Sequence, residues 1–186
     1  MANILVNKNA SLLEVILNRP DDGNALSLEL IEELNDILEN YQNDLEIKLV
    51  TIRGQGDKFF IAGGDINELI EVRSESDIEK MIELGRRTLD TIRYYPVPVI
   101  ALINGYALGG GAELAMACDY RLAIEKASIG FVHSTLNITT AWGGIIDLIY
   151  SLGHTKTLFT LIEGETIKAK EAQKLGLIDS VFDDID

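Results

Sequence analysis

Short apolar runs alternate along this chain with longer stretches in which apolar residues recur every three or four positions. Leu12–Leu17 (LLEVIL) and Lys48–Ile52 (KLVTI) are compact, β-branched runs of the strand type. Val97–Ile103 (VPVIALI) is a third, with Pro98 near its start, where a strand tolerates proline. Tyr120–Ile124 (YRLAI) is a fourth. Between the first two, Ser27–Tyr41 places Leu28, Ile31, Leu34, Ile37 and Leu38 on one helical face. Ser27 can cap that helix, and Leu30 at its third position leaves the capping box incomplete. Ser76–Tyr94 repeats the pattern with Ile78, Met81, Ile82, Leu84, Leu89 and Ile92. A shorter helix is expected from near Gly110 through Glu113 to Ala117. Others are expected at Ile145–Leu152, Thr155–Leu161 and Lys168–Leu175, the last closed by Gly176. Strands alternating with helices make an α/β pattern. No repeat or Pro/Ser-rich linker divides it, so residues 1–186 read as one domain.

Composition narrows the function classes. Apolar residues make up 47% of the chain, which excludes disorder. Sixteen basic against thirty acidic residues give a net charge of −14. Such a surface repels nucleic-acid phosphates and anionic lipid, so neither nucleic acid nor membrane is an expected partner. A local site can still oppose that field and take a phosphorylated small ligand. The single cysteine, Cys118, excludes an intrachain disulfide framework and a cysteine-cluster metal site. No basic segment followed by a long apolar run is visible at the N-terminus, and no apolar stretch reaches the roughly 20 residues a membrane span needs. The expectation is a cytoplasmic protein without a metal.

Three glycine-bearing segments follow strand-like runs: Ile61-Ala62-Gly63-Gly64-Asp65, Leu108-Gly109-Gly110-Gly111-Ala112-Glu113 and Trp142-Gly143-Gly144. None fits a Walker A loop or the dinucleotide fingerprint. The order strand, glycines, helix over Ile100–Ala117 presents free amides at a helix N-terminus. Two such amides converging on one carbonyl oxygen would form an oxyanion hole.

Taken together, the segments resemble the crotonase (enoyl-CoA hydratase/isomerase) superfamily over essentially the whole chain. The resemblance rests on Leu17-Asn18-Arg19-Pro20 with Asn24-Ala25-Leu26-Ser27, Phe60–Ile66, Ile103–Leu114, Ala117-Cys118-Asp119, and Glu171-Ala172 through Gly176-Leu177-Ile178-Asp179. It implies a crotonase (ClpP-like) spiral of ββα units that binds acyl-CoA thioesters and stabilises a thioester enolate. Coenzyme A then enters as part of the substrate, with no separate cofactor. By the same resemblance, Gly64 and Gly110 match the oxyanion-hole amides. Ala25, Ala62, Asp65 and Ile66 match positions lining CoA and substrate, and Glu113 matches the first catalytic glutamate of hydratases. A homo-oligomer, trimer or hexamer, is implied too.

The sequence departs from that pattern in two places. His133 stands at the second glutamate's position, twenty residues after Glu113, and the loop Leu136–Ala141 lacks the family's Gly and Pro. Phe131-Val132-His133 with Trp142-Gly143-Gly144 looks like the ethylmalonyl-CoA decarboxylase branch. There a 2-carboxyacyl-CoA loses CO₂ to give the same enolate. That reaction needs an oxyanion hole and a proton donor, for which Glu113 and His133 are the candidates. Two alternatives stand beside it: a hydratase or isomerase with His133 replacing the second carboxylate, and a non-catalytic acyl-CoA-binding subunit. Relatives also continue past Gly-Leu-Ile-Asp into a C-terminal helical region, whereas this sequence ends at Asp186. Trp142 reads as a core residue, His154 as a surface or capping residue, Cys118 as buried and inert, and Asp183, Asp184 and Asp186 as a solvated tail.

Overall fold

The computed structural model describes residues 2–65, 68 and 74–183. Strands β1 (Ile4–Asn9) and β2 (Leu12–Leu17) form an antiparallel hairpin. Helix α1 (Leu28–Tyr41) follows, and the Ser27 side chain accepts the Leu30 N–H at 3.1 Å, as a cap should. Then comes a repeating unit of two strands and a helix. β3 (Leu49–Gly54) and β4 (Phe59–Ile61) lead to α2 (Glu75–Arg93). β5 (Val99–Ile103) and β6 (Tyr106–Leu108) lead to α3 (Gly110–Ala117). β7 (Tyr120–Ile124) and β8 (Ser128–Gly130) lead through a short 3₁₀ turn, Val132–Leu136, to α4 (Gly144–Leu152). α5 (His154–Glu163), β9 (Thr166–Lys168), α6 (Ala169–Leu175) and β10 (Ser180–Phe182) complete the described chain.

In each unit the first strand joins one sheet and the second joins another. The larger sheet runs β1-β2-β3-β5-β7-β10 and is parallel beyond the β1–β2 hairpin. The smaller runs β4-β6-β8-β9, parallel except at β9. This is the expected ββα spiral. The strands of the larger sheet read as near-continuous apolar runs because helices cover them. Leu13, Val15, Val50, Ile52, Val99, Ala101, Ile103 and Ala123 are all fully buried there.

The pattern does not predict β1, whose run turns polar after Val6, or the very short strands. β4, β6, β8, β9 and β10 span three residues each, too few to show a two-residue period. α2 starts at Glu75 rather than Ser76, because the Ser74 side chain accepts the Asp77 N–H at 3.1 Å and so sets the boundary. α6 ends as expected at Gly176, whose φ of +95° suits only glycine. Among the described residues no helix is long and apolar enough to cross a membrane.

α3 is the element that places the site. All eight of its residues are buried, so it runs through the core rather than along the surface. A carboxylate on such a helix must find partners or be expelled by its own desolvation cost. Glu113 is that carboxylate.

Candidate active site

Glu113 is 2% exposed and lies in the first turn of α3. Its Oε2 accepts the Gly144 N–H at 2.8 Å, and its Oε1 lies 3.2 Å from His133 Nε2. Gly144 opens α4, so the carboxylate meets the N-terminal ends of two helices, its own and α4, each favouring negative charge. The approach is possible only because residue 144 has no side chain: a Cβ there would fall 2.5 Å from Glu113 Cγ. His133 sits in the 3₁₀ turn after β8 and is 8% exposed. Among the described residues its Nδ1 is buried without a hydrogen-bond partner.

α4 is itself anchored. Arg93, the last residue of α2, grips Asp147 in the first turn of α4 through two parallel bonds, Nε to Oδ1 at 2.9 Å and Nη2 to Oδ2 at 2.7 Å. The hydrogen bond to Asp147 holds the Arg93 guanidinium above its ordinary range. The pair fixes where Gly144 stands and hence where Glu113 is held.

Glu113, His133, Gly64 and Gly110 border one cavity of about 120 Å³, together with Ala62 and Trp142. Gly110 is the first residue of α3, and its amide is among those without an acceptor inside the helix. At Gly64 the chain forms a parallel bridge to Leu26. That bridge uses the Gly63 carbonyl and the Asp65 N–H, which leaves the intervening Gly64 N–H directed away from it. Gly64 and Gly110 thus border a space that also holds a carboxylate and an imidazole. Such a set can receive a developing oxyanion and exchange one proton beside it.

The remaining candidates are distributed as follows. Ala62 lines the cavity, while Ala25 is buried and its carbonyl accepts from Arg19 Nη1 at 3.0 Å. Asp65 accepts from Arg19 Nη2 at 3.1 Å and borders a smaller space behind Gly64. Ile66 lies outside the described residues, as do Asp184 and Asp186. His154 is exposed and Asp183 is exposed. Cys118 is buried just beyond α3, and burial pushes its thiol up to about 12. Trp142 is buried, as a core residue should be, but it is also a wall of the cavity. The sequence marked Gly144 only as part of a glycine-bearing segment, and showed neither its contact with Glu113 nor the Arg93–Asp147 pair. The one signal was Asp147 itself, a lone carboxylate within the apolar run Ile145–Ile149.

The chain is similar to known proteins of one family. Residues 7–186 match the family model described as enoyl-CoA hydratase/isomerase. The chain is 34% identical to the short-chain-enoyl-CoA hydratase of Clostridium acetobutylicum over 97% of its own length and 69% of that protein. It is 36% identical to the crotonyl-CoA hydratase of Syntrophomonas wolfei, over 96% of this chain and 68% of that one. A crystal structure of an enoyl-CoA hydratase from Bacillus anthracis superposes with a TM-score of 0.93 at 37% identity, covering 97% of this chain and 70% of that one. The chain spans 58–70% of the length of the curated relatives it matches. The ββα spiral and these matches together place the chain in the enoyl-CoA hydratase/isomerase family.

Proposed function

We propose that this chain is a single acyl-CoA-binding domain that decarboxylates a short 2-carboxyacyl-CoA of the methylmalonyl or ethylmalonyl type. The observation that carries the reading is the 3.2 Å contact between Glu113 and His133 inside the cavity bordered by Gly64 and Gly110. Alkene hydration needs a water held between two separate acid–base groups. Here the two groups touch, and Glu113 Oε2 is already taken by the Gly144 amide. They act as one proton-holding unit, and decarboxylation requires only one.

In the proposed reaction the thioester oxygen sits between the Gly64 and Gly110 amides. The bond from the α-carbon to the carboxylate breaks, CO₂ leaves, and the electron pair passes through the α-carbon onto the thioester oxygen. The amides stabilise the enolate, a contribution of about 3–4 kcal/mol per donor in comparable sites. The Glu113–His133 unit then delivers a proton to the α-carbon and is recharged from water. One proton is consumed, and the product is the saturated acyl-CoA.

The test is CO₂ release from methylmalonyl-CoA and ethylmalonyl-CoA. Release above the uncatalysed rate, lost in Glu113→Gln, supports the proposal; no release refutes it. Hydratase activity with His133 as the second acid–base group is the second reading, supported by the hydratase names of the relatives from Clostridium acetobutylicum and Syntrophomonas wolfei. Crotonyl-CoA hydration by the wild type, without CO₂ release from either malonyl ester, would establish it instead. The proposal includes a cytoplasmic homo-oligomer, a trimer or hexamer. The exposed Ile146, Tyr150, Phe159 and Ile162 on α4 and α5 support association. Light scattering that gives a monomer mass would overturn that part.

A further inference from the structure

We infer that Trp142, with Met81, forms the partition that sets the length of the acyl group this site accepts. The inference rests on the acyl-CoA reading above but on neither of its two reactions. Trp142, Met81 and Gly64 border the cavity of about 120 Å³ and, on their other side, a second space of about 10 Å³. That second space lies against α1, bordered by Leu28 and Ile31. The indole and the thioether are therefore an internal wall, with the oxyanion-side cavity on one face and the seam between α1 and α2 on the other.

The wall is rigid on its indole side. A Cβ at Gly85 of α2 would fall 2.4 Å from Trp142 Cδ1 and Nε1, and one at Gly110 would fall 2.5 Å from Cζ3. The ring is seated against two glycine backbones and cannot slide toward either helix. Both positions are where a large aromatic needs a missing side chain, and the ring fills the room they leave. The cavity of about 120 Å³ is bounded on this face by the ring, so an acyl chain that extends toward the α1 seam meets the indole first.

The experiment measures binding of butanoyl-CoA and octanoyl-CoA by calorimetry to the wild type, Trp142→Leu and Met81→Ala. Met81 is only partly buried, so its variant tests the same wall at lower risk to folding. Each methylene newly buried strengthens binding about fourfold. The wild type should prefer butanoyl-CoA, and both variants should shift the octanoyl-to-butanoyl preference by tenfold or more toward the longer chain. An unchanged preference in folded Trp142→Leu and Met81→Ala overturns the inference, as does a wild type that binds octanoyl-CoA as well as butanoyl-CoA. Failure of the acyl-CoA reading itself appears separately, as no binding of either thioester to the wild type, and overturns the inference with it.

Discussion

Replacing Arg93 by alanine should cost this protein about 3 kcal/mol. Arg93 and Asp147 are 20% and 10% exposed at the side chain, joined by two hydrogen bonds. Breaking a buried pair by removing one partner costs ~3–5 kcal/mol, because the remaining charge is left without compensation. Arg93 reaches partly to solvent and also contacts Asp90, so the lower end of that range applies. For a domain of this size each kcal/mol lowers Tm by roughly 2–4 °C, so Arg93→Ala should melt about 6–12 °C below wild type. The double variant Arg93→Met/Asp147→Leu removes both charges and should recover most of that loss. Activity follows a different course. Without the anchor, the start of α4 is free to shift and the Gly144 amide no longer holds Glu113 in place. At a temperature where Arg93→Ala is folded, kcat should fall about tenfold with KM nearly unchanged, the loss of a charge-assisted hydrogen bond worth ~1.5 kcal/mol. Calorimetric melting and steady-state kinetics on the three proteins check this. A Tm drop below 2 °C in Arg93→Ala would show that the pair is not structural. A large Tm drop with unchanged kcat would show that it does not position Glu113.

Three further outcomes are expected. Glu113→Gln keeps the shape of the site but removes its proton-holding carboxylate, and kcat should fall by ~10²-fold or more with Tm within a few degrees of wild type. Gly85→Val drives a side chain into the Trp142 ring, as the 2.4 Å approach of a Cβ there shows, and should destabilise the fold by ~2–3 kcal/mol in denaturant unfolding. Burial pushes the Cys118 thiol from its ordinary value of 9.0 up to about 12. The native protein should therefore resist thiol reagents at pH 8. Because the unfolded thiol ionises first, stability is intact below pH 9 and declines as pH rises toward 12. Cys118→Ala should show a shallower decline, and equal slopes in the two proteins would contradict the assignment.

Most of the longer elements were legible from their apolar runs or flanking glycines, β1 excepted, because its second half is polar. Leu12–Leu17, Tyr120–Ile124 and Gly110–Ala117 emerged with the expected bounds. The smaller sheet was invisible, since three-residue strands such as Ser128–Gly130 take their identity from neighbours in space. The site divided the same way. Glu113 was legible because strand, glycines and helix follow one another locally. Its contact with His133 and the Gly144 amide depends on how separate units of the spiral stack. The Arg93–Asp147 pair joins residues 54 positions apart, and a lone acid on an apolar helix signals only that some partner exists. Trp142 read as core, and it is core; that the same ring walls the cavity follows only from the two glycines it rests on, Gly85 and Gly110.

A crystal structure with a non-reactive ethylmalonyl-CoA analogue tests the central claim most directly. The account predicts the thioester oxygen within about 2.7–3.2 Å of both the Gly64 and Gly110 amides, with the α-carbon facing the Glu113–His133 unit. A thioester oxygen bound by neither amide, or an acyl group outside the cavity that holds Glu113, would contradict it.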